Sequence, residues 1–516
     1  MSPDIVSQII HHLFSIQTMV ALVVGVVGGI LVGSLPGLSA TMAIALLIPI
    51  TFGMDPVAGL TMLTAIYTAA MYGGSISAIL IHTPGTPASA ATSLDGYQMT
   101  LKGQGAKAIG ISTISSMIGG MLSALALLFL APPLSKVSLM FSAPEYFLIA
   151  IFGLTIIGSL ASKSMVKGLT AGVIGLLIGA IGVDILTGYP RFTFGFPALE
   201  TGVSLVPAMI GLFSLSQVMI QAENRGKNQG KKKALNIEGK VLPTWAEFKG
   251  IFATIIRSSG IGTFVGMLPG AGADIGSWVS YNEAKRFSKH KEKFGKGHIE
   301  GVAAPEAANN AVSGGALIPL LTLGIPGSAA TAVLLGGLMI QGLIPGRELF
   351  TTHADITYSV IFGFIIANIL MGIVGLLGAK YFVKVSVVSD AILAPIIITL
   401  CVVGSYAINN NVFDIWVMII FGFIGYFIRK TGFHPAPIIL GMVLGPIAER
   451  GFRQSVLMAK GDLLGFYFSR PITVVLMILV LIALFSPMIM NWWVKKGAGN
   501  MDESKSDGDV ADNPTK

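Results

Sequence analysis

A Gly-x-Leu-Pro-Gly motif occurs twice in this chain, and both copies lie within long apolar sequence. The copies are at 33–37 and 266–270, and each is followed by a second Pro-Gly break, at 83–86 and 325–328. A broken helix inside a membrane exposes backbone groups that only protein, water or a ligand can satisfy. Paired breaks at matching places in two apolar halves are therefore typical of secondary transporters, where they form the binding site.

A pair of glycines stands between the two breaks in each half, Gly73-Gly74 in the first and Gly314-Gly315 in the second. Glycine disfavours the helix interior because it loses more conformational freedom on folding than any other residue. We therefore predict that both pairs interrupt the helices in which they lie. Each half would then contain a hairpin at the first motif and a broken transmembrane helix after it.

The composition indicates a membrane protein. Of the 516 residues, 53% are hydrophobic and 11% are charged, and the mean hydropathy is +0.79. The chain lacks the polar surface that a soluble protein of this length needs. The net charge of +8 lies in short segments between apolar runs, which signals membrane topology rather than nucleic-acid binding. We predict an all-α polytopic membrane protein that resides in the lipid bilayer and has no nucleic-acid partner.

The positions of the basic residues predict the orientation. The first Lys or Arg is Lys102, so residues 21–52 have no basic flank and both of their ends belong outside the membrane. Residues 251–282 lie between two basic stretches, so both of their ends belong inside. Each segment is then a re-entrant hairpin, and the two enter from opposite faces. This predicts two inverted repeats with the N-terminus outside and the C-terminus inside.

The organisation of the chain follows from this duplication. The first inverted repeat is predicted at 1–224 and a basic cytoplasmic linker at 225–250. The second repeat, with a final helix, covers 251–494, and a disordered polar tail covers 495–516. We expect about 11 crossings in addition to the two hairpins, since a crossing needs about 20 apolar residues.

One predicted crossing, at 434–449, is short for a transmembrane helix. It is followed by basic residues that the topology would place outside, namely Arg450, Arg453, Lys460 and Arg470. This element fits the positive-inside rule least well.

At each break, Pro-Gly ends one half-helix and exposes the N-terminus of the next. Helix N-termini attract anions, and hydroxyls nearby can bond carboxylate oxygens. The predicted substrate-binding residues are Gly37, Ser39, Thr41, Thr83, Gly85, Thr86, Gly270, Gly327 and Ser328. Neither first-half break contains Lys or Arg, so anion binding is predicted to depend on helix ends, hydroxyls and bound cations rather than on an arginine.

The predicted cation-binding residues are Pro36, Asp274, Asn309, Asn310 and Gly324. An acid at membrane depth, such as Asp274, indicates function, although Asp274 could instead cap the second helix of its hairpin. The two asparagines could coordinate an ion or bond across helices. We expect no cofactor and no metal other than a coupling Na+, because the single cysteine excludes cysteine-based metal sites and disulfides.

Two glutamates near the start of the second broken helix, Glu300 and Glu306, are interpreted as loop or interface charges.

These segments resemble the large membrane subunit of the tripartite tricarboxylate transporters, the TctA family. The similar stretches are 33–41, 71–77, 83–87, 94–97, 300–310 and 323–328. The resemblance extends from about residue 20 to 493. It implies a permease of the bacterial inner membrane that takes up citrate-like or related carboxylates. It also implies a periplasmic substrate-binding protein and a small four-helix membrane subunit as partners, and an ion gradient, of Na+ or H+, as the driving force.

Other classes of protein fit less well. An ATP-driven pump needs a Gly-x-x-x-x-Gly-Lys-Ser/Thr loop, which the sequence lacks. An intramembrane enzyme needs a His-Glu-x-x-His motif or a second membrane acid matched to Asp274, and the sequence has neither. We therefore expect no enzymatic activity. A passive anion channel is the alternative that the residues leave open, and saturable, gradient-dependent uptake would distinguish a carrier from it.

Overall fold

The computed structural model describes residues 3–138, 140–160, 164–184, 187–224, 239–270, 272–386, 388 and 390–484. Residues 225–238 of the predicted linker, 485–494 of the predicted final helix and the predicted tail 495–516 lie outside the described residues. Eight of the described helices are long and apolar enough to cross a membrane, and shorter apolar helices lie between them. The chain is thus an all-α polytopic membrane protein, as predicted.

The first half contains ten helices among the described residues. They are α1 (Pro3–Leu13), α2 (Ile16–Ser34), α3 (Ala40–Thr51), α4 (Pro56–Ile81), α5 (Ala90–Leu101), α6 (Gly105–Ser138), α7 (Ala143–Leu160), α8 (Met165–Gly179), α9 (Leu205–Met209) and α10 (Ser216–Asn224). A π-helix, Ile210–Leu215, joins α9 to α10. Two short antiparallel strands, β1 (Gly182–Val183) and β2 (Pro190–Arg191), form a ribbon in which Gly182 pairs with Arg191.

The second half begins with another hairpin and broken helix. Its helices are α11 (Trp245–Met267), α12 (Gly272–Phe287), α13 (Ile299–Leu323), α14 (Ala329–Ile340), α15 (Arg347–Thr351), α16 (Ala354–Ser386), α17 (Asp390–Asn409), α18 (Val412–Lys430), α19 (Ala436–Met458) and α20 (Leu463–Phe468). A further apolar helix, Pro471–Leu484, closes the described part of the chain. Short 3₁₀ turns lie at Pro87–Ser89, Pro197–Leu199 and Lys291–Lys293.

Both Leu-Pro-Gly motifs lie at the turn between the two helices of a hairpin. α2 ends just before the first motif and α3 follows it, and α11 and α12 flank the second in the same way. The backbone of Gly37 has a φ of +84° and that of Gly270 a φ of +80°. Side chains other than glycine reach this left-handed region only at a cost, which explains why each turn ends in glycine.

The first hairpin returns to the end from which it starts. α2 runs parallel to α4, because Gly25 packs on Met62 and Gly33 on Ala70. After the turn, α3 comes back to the beginning of α4, where Thr51 contacts Gly59. Both ends of the hairpin therefore lie at the N-terminal end of α4.

The second hairpin repeats this geometry on α13. α11 runs parallel to α13, since Gly262 packs on Ala308 and Gly266 on Val312. α12 also packs on α13. It then returns toward the beginning of α13, because Tyr281 bonds the carboxylate that also accepts the N–H of His298, the residue before α13.

The two halves are inverted relative to each other. α4 and α13 lie antiparallel: Asn309 bonds the carbonyl of Met71, and Asn310 bonds Thr68. Because each hairpin enters beside the N-terminal end of its own long helix, the two hairpins enter from opposite ends of the molecule. This is the relation that a pseudo-two-fold axis in the membrane plane generates.

The glycine pairs do not break helices, contrary to the sequence-based prediction. Gly73-Gly74 lies within α4 and Gly314-Gly315 within α13, both of which are continuous there. A Cβ added to Gly73 would lie 2.7 Å from a carbonyl oxygen of α2, and one added to Gly315 would collide with a carbonyl of α11. The pairs thus allow the long helix and the hairpin to pack closely, as small residues do in membrane proteins.

The helix in the region of the crossing predicted at 434–449 is longer than expected. In the structure α19 has 23 residues, and the basic residues beyond the predicted end belong to it or follow it. Arg453 pairs with Asp184 at 2.8 Å, and Arg470 pairs with Glu145 at 2.7 Å. The predicted end at 449 was wrong because Arg450 and Arg453 were counted as loop charges, whereas both belong to α19 and Asp184, distant in the sequence, neutralises Arg453.

Candidate substrate cavity

Residues from both hairpins and both breaks line one cavity of about 530 Å³. The first hairpin and the second half's break lie on the same wall, since α3 packs against α14. The second hairpin reaches the first half's break, since α12 packs against the Pro87–Ser89 turn. The predicted site residues that line this cavity are Gly37, Ser39, Thr41, Gly85, Thr86, Asp274 and Ser328.

Two half-helices begin at the cavity, and a serine caps each of them. Ser39 accepts a hydrogen bond from the backbone N–H of Met42 at 3.3 Å, and Ser328 accepts one from that of Thr331 at 3.2 Å. Ser328 also lies 3.1 Å from the hydroxyl of Tyr67. The first turns of α3 and α14 therefore present their remaining N–H groups and the positive ends of their dipoles to the same cavity.

Asp274 lies at the cavity on the second hairpin. α12 begins at Gly272, so Asp274 is the third residue of the helix. Asp274 thus lies in the first turn of α12 and not at the N-cap position, which precedes the first helical residue. A carboxylate in the first turn interacts favourably with the helix dipole, so the ion-binding role and the role at the helix N-terminus both stay predictions.

An arginine also lines the cavity, and the sequence analysis missed it. Arg429, near the end of α18, donates from Nη1 to Oε1 of Gln217 at 2.8 Å and from Nη2 to the carbonyl of Leu212 at 3.3 Å. Its Nε is buried without a hydrogen-bond partner, and no acidic side chain pairs with it among the described residues. Arg429 lies at the end of an apolar run, where basic residues usually signal membrane topology. The sequence alone therefore gave no reason to place it in the site.

The π-helix at Ile210–Leu215 holds this arginine in place. Its residue Leu212 offers a carbonyl both to Arg429 and to the hydroxyl of Ser216. Phe213 of this segment and Gln217, in the first turn of α10, line the cavity. π-Helical turns are rare and occur often at functional sites, and no pattern in the sequence indicates this one.

Several predicted site residues lie beside the cavity rather than on its wall. The N–H of Gly270 donates to the carbonyl of Gly327 at 2.9 Å, so these two glycines join the second hairpin to the second break. Thr83 donates to the carbonyl of Ile81. Gly324 is the C-cap of α13. Pro36 lies in the turn between α2 and α3 and is not among the lining residues.

Asn309 and Asn310 are fully buried on α13, away from the cavity wall. Their amide nitrogens bond across helices, as one of the two interpretations expected: Asn309 to the carbonyl of Met71 at 3.2 Å and Asn310 to Thr68 at 3.0 Å. The hydroxyl of Thr68 in turn donates to the side-chain oxygen of Asn368 at 2.7 Å. Thr68 therefore accepts from Asn310 and donates to Asn368. Within the described part of the protein, the side-chain oxygens of both asparagines have no hydrogen-bond partner.

Glu306 is not a loop or interface charge, contrary to the sequence-based interpretation. It lies on α13 with none of its surface exposed. Its carboxyl oxygens bond the hydroxyls of Thr92, Ser112 and Ser116. Glu300, by contrast, lies in the first turn of α13 near His298 and is partly exposed.

Comparison with known proteins gives the family. A model of the tripartite tricarboxylate transporter TctA family matches residues 19–440. An uncharacterized 52.8 kDa protein in the TAR-I ttuC' 3' region of Agrobacterium vitis is 40% identical over 447 residues, which cover 86% of this chain and 88% of the relative. An uncharacterized protein in the TAR-II ttuC' 3' region of the same organism is 39% identical over 201 residues, which cover 39% of this chain and 83% of the relative. No solved structure matches.

The membrane fold and the similarity agree with each other. The matched region contains both hairpin turns, both breaks and all the residues that line the cavity. The chain therefore belongs to the TctA family, whose members are the membrane components of tripartite tricarboxylate transporters.

Proposed function

We propose that this protein is a permease that takes up carboxylates, citrate-like or related organic acids, across the bacterial inner membrane, driven by an ion gradient. The observation that carries this proposal is the guanidinium of Arg429, which has no acidic partner among the described residues and lies in a cavity where two half-helices begin. A largely buried cation without an ion-pair partner is costly, and a bound anion would offset that cost.

The cavity has donors suited to carboxylate groups. The capped N-termini of α3 and α14 offer backbone N–H groups, and the hydroxyls of Thr41 and Thr86 lie on the same wall. Arg429 has five N–H donors in a planar fork that matches a carboxylate, and its Nε has no partner. Several anionic groups on one substrate can therefore be bound at once, which favours di- and tricarboxylates.

The coupling cation is proposed to bind on the second hairpin and its long helix. Asp274 is the acid at the cavity, and the unpartnered oxygens of Asn309 and Asn310 are acceptors without donors. Carbonyls at the turns of Pro36 and Gly324 are further candidate ligands. We propose Na+ or H+ as the coupling ion, no resident cofactor and no enzymatic reaction.

The partners are proposed from the family. A periplasmic substrate-binding protein would deliver the carboxylate, and a small four-helix membrane subunit would complete the complex. A passive anion channel is the alternative function, and an intramembrane enzyme is a more distant one. A channel would transport the anion, and an enzyme would convert it, without an ion gradient.

Uptake by the reconstituted complex tests the proposal. Vesicles containing this protein, the small subunit and the binding protein are supplied with labelled citrate, malate and succinate, with and without gradients of Na+ and H+. Saturable accumulation of one of these acids that requires a gradient and the binding protein is expected. Uptake that stops at equal concentrations and ignores both would identify a channel instead.

A further inference from the structure

The buried carboxyl groups of this protein differ in the donors that hold them. Asp95 on α5 accepts hydrogen bonds from the backbone N–H groups of Gly295, Gly297 and His298 and from the hydroxyl of Tyr281. An N–H group can only donate, so three of these four partners bond the carboxyl oxygens solely as donors. Asp95 thus holds the loop before α13.

The other buried carboxylates follow the same pattern, with one exception. Those held by nitrogen donors are Glu145 with Arg470, Asp184 with Arg453, and Asp414 with Asn409. Glu306 alone among the buried carboxyl groups of the described residues has only hydroxyl groups as hydrogen-bond partners.

A hydroxyl can serve either protonation state of a carboxyl group. Thr92 lies 2.5 Å from Oε1 of Glu306, and Ser112 and Ser116 lie 3.1 and 3.0 Å from Oε2. Toward a carboxylate each hydroxyl donates, and toward a carboxylic acid one of them turns and accepts. The surroundings of Glu306 therefore allow a proton to bind or leave without losing a hydrogen bond. This property distinguishes Glu306 from Asp95.

We infer that Glu306 is the group that carries the coupling proton of this transporter, an inference that rests on the proposed function. Entry of a proton forms an O–H bond on one carboxyl oxygen and makes the buried group neutral. Its departure on the other side of the membrane breaks that bond and leaves the carboxylate. A permanently charged carboxylate would be costly at this depth, because no ion pair within the described residues compensates it.

The geometry favours a proton over Na+ at this position. The three hydroxyl oxygens are in direct hydrogen-bond contact with the carboxyl oxygens. A hydroxyl that ligates a metal ion turns its lone pair to the ion, so Na+ would have to replace these hydrogen bonds, whereas a proton fits within them.

Glu306 is connected to both halves of the substrate cavity. Thr92 follows Ala90, a cavity-lining residue at the first break, by two positions on α5. On the other side, Ser277 of α12 lies 3.4 Å from the carbonyl of Pro305, the residue before Glu306. A movement of either the first break or the second hairpin would therefore alter the bonds of Glu306, which links its protonation to occupancy of the cavity.

Several titratable and charged side chains on the helices packed around α13 have other partners. They are Tyr72 of α4, bonded to Thr113; Asp95 of α5 and Tyr281 of α12, bonded to each other; Lys107 of α6 and Glu247 of α11, an ion pair; and Arg257 of α11, which lies over Phe287. Asp274 of α12 has no ion-pair partner among the described residues, but it lines the cavity, whereas Glu306 is fully buried and does not. Glu306 can change its charge without breaking an ion pair.

Transport by a Glu306→Gln variant tests the inference. Glutamine keeps the size and hydrogen bonding of a protonated glutamate but cannot release a proton. With whichever of citrate, malate and succinate the wild type takes up, accumulation driven by a pH gradient should fall by about tenfold or more, a typical size for coupling between sites. Exchange of labelled for unlabelled acid, which needs no net proton movement, should remain. Exposed Glu292→Gln is the control and should leave both unchanged.

Infrared spectroscopy of the purified protein tests protonation without any substrate. A carboxylic-acid C=O band that titrates with pH is expected in the wild type, lost in Glu306→Gln and shifted in Thr92→Val, which keeps the glutamate. Absence of that band, or gradient-driven accumulation by Glu306→Gln equal to the wild type, would overturn the inference. If uptake by the wild type requires a Na+ gradient and Glu306→Gln takes up the acid as well as the wild type, the inference about Glu306 is overturned. The proposed function stays intact in that case. If the wild type shows neither uptake nor exchange, the proposed function fails, while the infrared result still decides protonation.

Discussion

The hydroxyl of Tyr67 lies 3.1 Å from that of Ser328, so the long helix of the first half is hydrogen-bonded to the break of the second. Tyr67 belongs to α4, and Ser328 caps α14. The bond closes one wall of the cavity and ties the first turn of α14 to a helix that is buried along nearly its whole length.

Substitutions at this contact should distinguish the contribution of the Ser328 cap of α14 from that of the Tyr67–Ser328 hydrogen bond between the halves. Ser328→Ala removes both, and we expect a loss of about 1 kcal/mol or more of stability together with weaker carboxylate uptake. Tyr67→Phe removes only the bond between the halves and should cost about 1 kcal/mol. Thermal unfolding in detergent and the KM for uptake measure the two effects. Equal KM values for Ser328→Ala and the wild type would show that Ser328 is not part of the substrate site.

Arg429 should determine substrate affinity. Replacing it by glutamine removes the cation at the cavity, and we expect uptake at low substrate concentration to fall by about thirtyfold, equivalent to about 2 kcal/mol. Lysine should restore part of the activity, because it supplies charge without the planar fork.

Lys430→Gln is the matched control, because Lys430 is the next residue and pairs with Glu223 on the exposed surface. It should leave the KM unchanged. A similar loss of uptake in Arg429→Gln and Lys430→Gln would mean that the net charge at the end of α18 matters, rather than a contact between Arg429 and the substrate.

The glycines at the breaks should tolerate no side chain. A Cβ on Gly327 would lie 2.5 Å from the carbonyl oxygen of Gly266, and one on Gly85 would meet the carbonyl of Gly33 in the same way. Gly327→Ala should therefore destabilise the protein or abolish uptake. Gly250→Ala is the control: Gly250 lies in α11 with no atom within 4 Å of an added Cβ, so alanine there should stabilise the helix by about 1 kcal/mol. Normal uptake by Gly327→Ala would contradict the close packing of break and hairpin.

Asp274→Asn should weaken the cation dependence of uptake more than the affinity for the carboxylate. A bound cation beside Asp274 would screen this carboxylate from those of the substrate, and asparagine removes the need for it. The concentration of Na+ and the pH that give half-maximal uptake are the measured quantities. Glu283→Gln, on the same helix, is the control. An unchanged cation dependence combined with a loss of about 1 kcal/mol of stability would indicate a purely structural role at the helix N-terminus.

Labelling of single cysteines in a Cys401→Ser background can test the orientation of the repeats. Gly53, after α3, should react from outside, and Lys296, between α12 and α13, should react from inside. Lys102 bonds the carbonyl of Lys296, so a cysteine at Gly103 should share its side. Labelling of positions 53 and 296 from the same face would contradict the inverted topology.

The sequence predicted those features that depend on backbone chemistry and on composition. The Pro-Gly turns follow from the restricted φ of proline and the freedom of glycine, so the breaks near Gly37 and Gly327 could be located. The glycine pairs could not be interpreted in the same way, because a glycine that breaks a helix and one that lets a neighbour approach are identical in the sequence. Only the position of α2 beside Gly73 decides between them.

Side chains that act across long sequence separations were the part that could not be predicted. Arg429 belongs to a helix that begins more than 80 residues after the break of the second half. Its side chain is oriented into the cavity by the hydrogen bond to the carbonyl of Leu212 in the π-helix. Glu306 lies near the start of an apolar helix, which is also where surface charges lie. Three hydroxyls on two other helices satisfy the hydrogen bonds of its buried carboxyl group. The sequence does not show how those helices align with α13.

The π-helical segment makes the cavity depend on the winding of a helix as well as on the residues that line it. A π-turn contains one residue more than the α-turn that it replaces. If Ile210–Leu215 relaxed to an α-helix without losing a residue, every side chain after it would rotate by about 100° relative to those before. Gln217 would then leave the cavity and release Arg429, although no residue that contacts the substrate had been replaced.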